Sequence, residues 1–468
     1  MQKVKIGFIP SSWDAWNGDD YAQKMRDRCV AVLKSIPGLD LVVPPKNLTE
    51  FGCVSTVEEG KAALALFKRE EIQGLLIGNM TFGMEVAVGT VLNGLRKDMP
   101  ILHFCTKSGP YTAEGVRLTD NWCGQFMTIS AIKRRGFRYE HLVTCNPEEE
   151  PFKAKAEAFT RACNAIQRFK GAKIGQLGAK PQLFESENWS EQAMQRDFSQ
   201  MVVPMDLDRV LTIIENISPK DPAVKRVMAQ ITDGVDVAEE TENSVMNLAR
   251  CEVGYLRIAE QLDVNALAIN CWTRVQERLG CSVCSVIGRL NNQDMPTACE
   301  VDIYGAATML ALHAAGLGEA KPHFIDFTDL HPAEANTWLA WHCGNAPRKA
   351  CAPDCRPKLL KNERLMQWCT NCHGALEFRL KDGPVTCARL VEYNSKFTMF
   401  FGSGEVVNVP PNLRGTYGWV KVNDVADWEA KMAEHGVIHH GALIHDGKAA
   451  DALEMFCKFL GIEAVRGA

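Results

Sequence analysis

Short apolar strands that alternate with helical segments constrain the fold of the first third of this chain. Four apolar runs there read as buried strands: residues 4–10, 39–44, 74–78 and 100–104. Buried strands connected by crossover helices are typical of a doubly wound parallel sheet. After a long helical segment at 151–169, a new strand begins at 173–178. We therefore expect an α/β fold with two Rossmann-like parallel-sheet domains.

The character of the sequence changes beyond residue 345. Three strand-like segments follow one another at 375–380, 385–393 and 396–402, and turns rich in Pro, Gly and Asn separate them. This pattern predicts a C-terminal antiparallel, β-barrel-like domain that ends in a helix. We expect three domains, which are listed by their bounds: residues 1–170, 171–345 and 346–468.

Composition excludes several classes of protein. Hydrophobic residues make up 46% of the 468 positions and charged residues 23%, as in ordinary globular proteins. The net charge of −5 argues against a nucleic-acid partner, which would require a basic surface. No segment approaches the roughly 20 apolar residues of a membrane span. The chain enters a strand without a signal-peptide core, so we expect a cytoplasmic protein whose 18 cysteines are mostly reduced.

Three candidate metal ligands stand at the ends of three predicted elements. Glu300 precedes the helical segment 301–315, Asp326 ends a short apolar strand, and His342 follows the aromatic run 338–341. Carboxylates combined with imidazole suit Mn²⁺ or Mg²⁺ better than a thiolate set would. Taken singly, each residue also has a structural explanation, as a first-turn acid, a turn cap or a buried core histidine.

Together these residues resemble the L-fucose/L-arabinose isomerase superfamily. In that family an Ala-Cys-Glu-x-Asp segment, a strand-end acid and a late histidine hold a divalent metal, and residues 298–302 match the segment. The fourth ligand of the family is the second histidine of a His-His pair, here at 439–440. The resemblance implies Mn²⁺, Mg²⁺ or Co²⁺ as cofactor. The implied ligands are Glu300, Asp326, His342 and His440.

The resemblance implies an aldose–ketose isomerase of carbohydrate catabolism that works through an enediol. Moving a proton from C2 to C1 requires a cation on both oxygens and a carboxylate near each carbon. Glu300 and Asp326 would serve as metal ligands and as the acid/base pair. The family also implies a homo-oligomer, a trimer or a hexamer. The absence of a G-x-G-x-x-G motif weakens an oxidoreductase interpretation.

Loop residues with aromatic, amide or charged side chains are candidates for binding a sugar, because aromatic faces stack on C–H surfaces and amides bind hydroxyls. The candidates are Trp13, Asn79, Lys107, Trp189, Arg289 and His439. The two cations would either recognise an anionic group on the sugar or be solvated charges. A deoxy hexose and an anionic one, such as a sulfonated, sulfoquinovose-like hexose, both remain open as substrates. On the helix where arabinose isomerases carry a substrate histidine, this chain has Gln125-Phe126-Met127 instead, which weakens arabinose specificity.

A second cluster consists of four cysteines within a short window: Cys351, Cys355, Cys369 and Cys372. Such paired spacing is typical of a structural Zn²⁺ site. The chain is rich in cysteine throughout, so non-ligating thiols remain the alternative.

A non-catalytic sugar-binding or sensing protein is the alternative function, since paired α/β domains also form binding modules. Such a module needs neither a carboxylate–imidazole set nor a terminal β domain. Both features are predicted here, and they favour the isomerase.

Overall fold

The structure is a computed structural model that describes residues 1–13, 19–361 and 372–468. The chain divides into two compact units. The first comprises residues 1–167 with 455–461, and the second comprises residues 168–454 with 462–468.

The first unit contains a five-stranded parallel sheet with the order β2-β1-β3-β4-β5. Its strands are β1 (Val4–Ser11), β2 (Leu39–Val42), β3 (Gly74–Asn79), β4 (Ile101–Cys105) and β5 (Tyr139–Leu142). Its helices are α1 (Asp19–Leu33), α2 (Val57–Arg69), α3 (Glu85–Asn93), α4 (Asn121–Arg134) and α5 (Glu150–Phe169), the last of which runs into the second unit. The central strands β3 and β4 are buried at every position, as strands covered by helices on both faces must be. This confirms the predicted doubly wound sheet.

The second unit begins with a four-stranded parallel sheet of order β7-β6-β8-β9. Its strands are β6 (Lys173–Leu177), β7 (Met201–Met205), β8 (Ala266–Ile269) and β9 (Thr297–Ala298). The helices around it are α6 (Glu191–Phe198), α7 (Leu207–Glu215), α8 (Pro222–Thr232), α9 (Glu242–Leu262), α10 (Arg274–Leu279), α11 (Cys284–Asn292) and α12 (Ile303–Ala315). The second predicted parallel sheet is thereby confirmed.

An antiparallel barrel completes the second unit, as predicted. Its strands are β10 (His323–Leu330), β11 (Thr337–His342), β14 (Gly383–Tyr393), β15 (Lys396–Val407), β16 (Thr416–Lys421) and β17 (His440–Ile444). They pair in the order β16-β11-β10-β17-β14-β15, and β15 pairs back onto β16 to close the barrel. The sheet is extended by β12 (Lys358–Lys361), β13 (His373–Arg379) and β18 (Glu463–Arg466), and helix α13 (Val425–Glu434) accompanies it. Helix α14 (Ala449–Leu460) begins in the second unit and ends in the first.

Strands β10 and β11 belong to the barrel by hydrogen bonding. They pair with each other, and their outer partners are β17 and β16. Both segments fall within the predicted second α/β domain, residues 171–345, and a short apolar run looks the same in either kind of sheet. The three-domain division at residue 345 stays a prediction, but these two strands carry the barrel back to residue 323.

Helix α12 packs between the two sheets of the second unit. Every one of its residues is buried, and it contacts β8 and β9 on one side and β14 and β17 on the other. A helix that is apolar on all sides requires such an interior position. Asp302 caps its first turn by accepting a 2.7 Å hydrogen bond from the Gly305 amide. The Glu300–Asp302 segment is therefore held at the junction of the parallel sheet and the barrel.

Among the described residues, none of the helices combines the length and the apolar character that a membrane span requires.

Candidate active site

The four predicted metal ligands line one cavity of about 560 Å³ in the second unit. Glu300 comes from the link between β9 and α12, Asp326 from β10, His342 from the end of β11 and His440 from the start of β17. The register of the barrel explains part of this convergence. Asp326 lies opposite His440 on one neighbouring strand and opposite Trp341 on the other, next to His342.

The donor atoms of three of these predicted ligands lie close enough together to share one cation, and Asp326 lies beside them. One atom each of Glu300, His342 and His440 can be chosen so that all lie within 4.8 Å of one another. The Nε2 atom of His440 is 3.0 Å from Glu300 Oε2 and 3.6 Å from Asp326 Oδ1. Asp326 Oδ1 is buried and accepts no hydrogen bond from the described residues. A buried carboxylate oxygen without a donor, beside a second carboxylate and two imidazoles, fits a divalent cation.

A turn in left-handed backbone presents Glu300. Both Glu300 and Val301 have positive φ, 59° and 61°, which is costly for a β-branched residue. The turn is fixed by burial of Val301 and by a 3.2 Å hydrogen bond from its amide to the carbonyl of Ile269 on β8. Backbone held in this way is common where a functional side chain must be aimed.

This turn lets two acids that are two residues apart reach opposite edges of one imidazole. Glu300 Oε2 lies 3.0 Å from Nε2 of His440, and Asp302 Oδ2 lies 3.1 Å from Nδ1. Asp302 is paired with the Arg389 guanidinium of β14, and both side chains are almost completely buried. Glu187, also buried, places Oε1 3.2 Å from Nδ1 of the same ring. His440 is therefore surrounded by acids.

The protonation states of two ligands favour cation binding. Burial alone would raise the pKa of Glu300, but the hydrogen bond and charge of His440 lower it below the ordinary value. Burial lowers the pKa of His342, although Asp326 and Glu300 oppose the shift. A carboxylate and a neutral imidazole are the forms that bind metals.

The pKa values of His440, Glu187 and Asp302 are shifted by burial and by the neighbouring charges. Burial would lower the pKa of His440, but the hydrogen bonds to Asp302 and Glu300 raise it to about 10. Burial raises the pKa of Glu187 to about 9. Burial opposes ionisation of Asp302, yet the charge of Arg389 and the hydrogen bond from His440 hold its pKa well below the usual range. A cation at Nε2 of His440 would displace the proton there.

Two of the predicted sugar-binding residues of the second unit line cavities. His439 lines the same cavity as the ligands, with its ring centroid 5.4 Å from that of Phe184. Trp189 lines a separate cavity of about 480 Å³ beside Tyr304. Their roles in substrate binding stay predictions.

Arg289 lies elsewhere. It is not among the described residues that line the ligand cavity. Its guanidinium instead pairs with the buried carboxylate of Glu252 on α9, with Nη2 3.1 Å from Oε1. Arg289 lies within helix α11 and not in a loop, and the sequence gave no sign of this long-range partner.

The three predicted sugar-binding residues of the first unit occupy different settings. Asn79, at the end of β3, is buried, and its Oδ1 lies 2.9 Å from His103 Nε2. The Trp13 ring packs against Phe82 with centroids 5.3 Å apart. Lys107 forms a 2.7 Å ion pair with an exposed glutamate, Glu149. The roles of Trp13, Asn79 and Lys107 stay predictions.

The four-cysteine cluster is only partly described, because Cys369 lies outside the described residues. Cys351 donates a 3.4 Å hydrogen bond to the carbonyl of Cys355, and burial raises the pKa of its thiol to about 12. Cys372 is buried. A structural zinc on these cysteines stays a prediction.

Three residues close to the predicted ligands were not singled out from the sequence: Phe184, Glu187 and Arg389. Phe184 lines the cavity and packs edge-on against Trp272. Arg389 carried a usable signal, because it stands in the middle of the predicted barrel strand 385–393, and an arginine that is buried there needs an acidic partner. Glu187 stands in a polar loop and gave no comparable signal.

A buried set of two carboxylates and two imidazoles, open to a cavity between a parallel sheet and a barrel, defines an enzyme that acts on a small molecule. Residues 7–170 match the family model of the fucose/sulfoquinovose isomerase N-terminal domain, and residues 340–466 match that of the L-fucose isomerase C-terminal domain. The two matches together span more than half of the chain. The chain belongs to the fucose isomerase family of aldose–ketose isomerases, which are intramolecular oxidoreductases. The family resemblance is confirmed.

Several relatives of low sequence identity to this chain are sulfoquinovose isomerases. A sulfoquinovose isomerase of Alkalicoccus urumqiensis is 26% identical over 313 residues, 64% of this chain and 66% of the relative. A sulfoquinovose isomerase of Priestia aryabhattai is 22% identical over 463 residues, 97% of both chains. One of Clostridium sp. (strain MSTE9) is 25% identical over 355 residues, 74% of this chain and 73% of the relative.

Proposed function

We propose that this chain is a metal-dependent isomerase that converts sulfoquinovose into its 2-ketose. The observation that carries the proposal is the approach of Glu300 Oε2 and Asp326 Oδ1 to one nitrogen, His440 Nε2, inside a single cavity. The relatives, which are named sulfoquinovose isomerases, support the choice of substrate.

The proposed metal site consists of Glu300, Asp326, His342 and His440. Two oxygen and two nitrogen donors suit Mn²⁺, and also Mg²⁺ or Co²⁺. When bound, the cation supplies Lewis-acid stabilisation of the negative charge that develops on O1 and O2 of the sugar. The orphaned oxygen of Asp326 and the acids around His440 support a positive charge at this position.

Isomerisation requires one carbon-bound proton to leave C2 and one to arrive at C1, while a hydroxyl proton moves from O2 to O1. We assign the carbon-bound proton transfers to the two carboxylates. Asp326 Oδ1 accepts no hydrogen bond from the described residues, which supports a role for this carboxylate at the substrate. Glu300 keeps one oxygen on Trp272 and presents the other to the cavity. Each would act on one face of the enediol.

The cavity is suited to a polyhydroxylated six-carbon sugar. Its volume of about 560 Å³ lies within the range of small-molecule sites, roughly 300–1,000 Å³. Trp272, Trp341 and Phe184 supply aromatic surface for C–H groups, and Gln276 and His439 supply hydrogen-bonding groups for hydroxyls.

Two further elements belong to the proposal. We place the enzyme in the cytoplasm, since a cysteine-rich chain suits a reducing compartment. We also propose that it works as a homo-oligomer, a trimer or a hexamer, as the family resemblance implies.

A substrate and metal panel tests the proposal. The purified chain, stripped with EDTA, is incubated with sulfoquinovose, L-fucose or L-arabinose and with no metal, Mn²⁺, Mg²⁺ or Co²⁺, and the ketose is measured. We expect ketose from sulfoquinovose only when a divalent ion is present. Ketose from the neutral sugars alone would contradict sulfoquinovose as the substrate. Full activity in EDTA would contradict the proposed dependence on a metal. Sugar binding without ketose from any aldose would favour a binding protein.

A further inference from the structure

We infer that Asp302, held by Arg389, positions His440 by keeping a proton on Nδ1, so that Nε2 is the nitrogen offered to the cation. This inference rests on the proposed function, because it concerns the proposed metal site. It makes Asp302 and Arg389 positioning residues that do not contact the substrate.

The two nitrogens of His440 face different partners. Nδ1 donates a 3.1 Å hydrogen bond to Asp302 Oδ2, and Nε2 lies 3.0 Å from Glu300 Oε2, on the side of Asp326. A neutral imidazole carries only one N–H, and the hydrogen bond made by one nitrogen decides which nitrogen is free to bind a metal. The acceptor at Nδ1 therefore assigns metal binding to Nε2.

Asp302 is itself held rigidly by partners from other elements. Its Oδ1 accepts hydrogen bonds from the Gly305 amide, at 2.7 Å, and from Arg389 Nη2, at 3.1 Å. Its Oδ2 accepts from Arg389 Nη1 and from His440. Both members of the ion pair are 1% exposed, so each balances a charge that would otherwise be buried alone. The carboxylate thus joins α12, β14 and β17 at one point.

Glu187 is the competing acceptor, and its geometry argues against it. Its Oε1 is 3.2 Å from Nδ1, but neither carboxyl oxygen makes a hydrogen bond with the described residues. By contrast, Asp302 Oδ2 accepts a hydrogen bond from His440 Nδ1 at 3.1 Å. Glu187→Gln is therefore a matched control, because it changes the neighbouring carboxyl and leaves the hydrogen bond from Nδ1 in place.

A purely structural role for Asp302, as the cap of α12 and partner of Arg389, is the alternative. Asp302→Asn keeps the cap but loses the charge that pairs with Arg389, so metal binding, and not stability, is the measurement that separates the two roles. An amide with its oxygen toward Gly305 keeps the cap, but its NH₂ group then faces the N–H of His440 Nδ1 and cannot accept. The imidazole proton must then move to Nε2, where it blocks the cation.

The test compares the full-length wild type with the Asp302→Asn and Glu187→Gln variants. Mn²⁺ affinity is measured by calorimetry, the visible spectrum of the Co²⁺-loaded protein reports the nitrogen ligands, and thermal unfolding of the metal-free protein reports the fold. We expect Asp302→Asn to weaken Mn²⁺ binding about 10-fold or more, as is typical when a residue that hydrogen-bonds to a metal ligand is replaced. The visible spectrum of the Co²⁺-loaded variant should also change. Glu187→Gln should match the wild type.

Unchanged Mn²⁺ affinity and an unchanged Co²⁺ spectrum in Asp302→Asn would overturn the inference, even if the variant melts at a lower temperature. An equal loss in Glu187→Gln would overturn it as well. Should Asp302→Asn fail to fold, Arg389→Lys, which keeps the charge and loses the two-pronged contact, must show the weaker binding for the inference to stand. If the wild-type chain bound no Mn²⁺, the result would instead contradict the proposed metal-dependent function.

Discussion

The indole of Trp272 donates a 2.8 Å hydrogen bond to Oε1 of Glu300, and the other oxygen of that carboxylate lies 3.0 Å from His440 Nε2. One oxygen is thus held by the protein while the other faces the proposed cation. A carboxylate fixed at one end loses little freedom when its other end binds a ligand. This contact gives a first prediction.

Trp272→Phe removes the donor and keeps an aromatic ring in the cavity wall. We expect Mn²⁺ affinity and kcat/KM to fall about 10-fold or more, because a hydrogen bond to a charged group contributes ~1.5–3 kcal/mol. Calorimetry and steady-state kinetics measure both quantities. Trp341→Phe is the control, since that indole donates to the carbonyl of Arg414 and contacts no ligand by hydrogen bond among the described residues. Equal losses of Mn²⁺ affinity and kcat/KM in the two variants would show that the hydrogen bond from Trp272 to Glu300 does not contribute specifically.

Glu300→Gln and Asp326→Asn should each abolish turnover while the fold is retained. Both substitutions keep the shape of the side chain and remove the charge that serves as metal ligand and as proton carrier. Activity assays and circular dichroism test this, with Asp329→Asn, an exposed position on the same strand, as control. A variant that keeps even a tenth of wild-type activity removes its residue from the mechanism.

His440→Ala and His439→Ala should behave differently. His440 is 1% exposed and directs Nε2 at Glu300, whereas His439 is exposed at the mouth of the cavity. The two rings lie with centroids 4.0 Å apart and both line the cavity, but His440 Nε2 is the nitrogen placed beside Glu300 and Asp326, so we expect it to bind the cation. His440→Ala should weaken metal binding about 10-fold or more, and His439→Ala should retain the metal but raise KM. Similar metal affinities in the two variants would refute the assignment.

Acid should destabilise the protein partly through His323. This residue is completely buried in β10, and burial, with the nearby His342, lowers its pKa to about 3. The unfolded chain takes up this proton near its ordinary pKa of about 6.5. Between these values the unfolded state binds more protons, so the free energy of unfolding falls as pH falls, by at most ~1.4 kcal/mol per pH unit for one group.

His323→Gln can keep a donor toward Asn345 Oδ1, which lies 3.1 Å from the histidine Nε2, but it cannot titrate. We expect the free energy of unfolding of this variant to depend less steeply on pH between about pH 6 and pH 4. Urea denaturation at several pH values in that window gives the two slopes. Parallel slopes for the variant and the wild type would contradict the prediction.

Light scattering under assay conditions measures the mass of the assembly. We expect a mass three or six times that of the chain, as the proposed trimer or hexamer requires. A fully active monomer would contradict the proposal.

The sequence alone determined those features that depend on local pattern. Strands β1, β3 and β4 were predictable because a strand covered on both faces is apolar along most of its length. The ligand order from Glu300 to His440 was predictable because it resembles a family motif, and the structure brings these residues into one cavity.

Only the tertiary structure decided which partners these elements take. An apolar run shows that a strand is buried, but it does not name its neighbour, so only the fold shows that β10 and β11 pair with the barrel strands β17 and β16. The Asp302 carboxylate meets Arg389 across 87 residues and His440 across 138 residues. Contacts over such separations are selected by the folded chain as a whole, because burying one charge requires an opposite charge brought from another element.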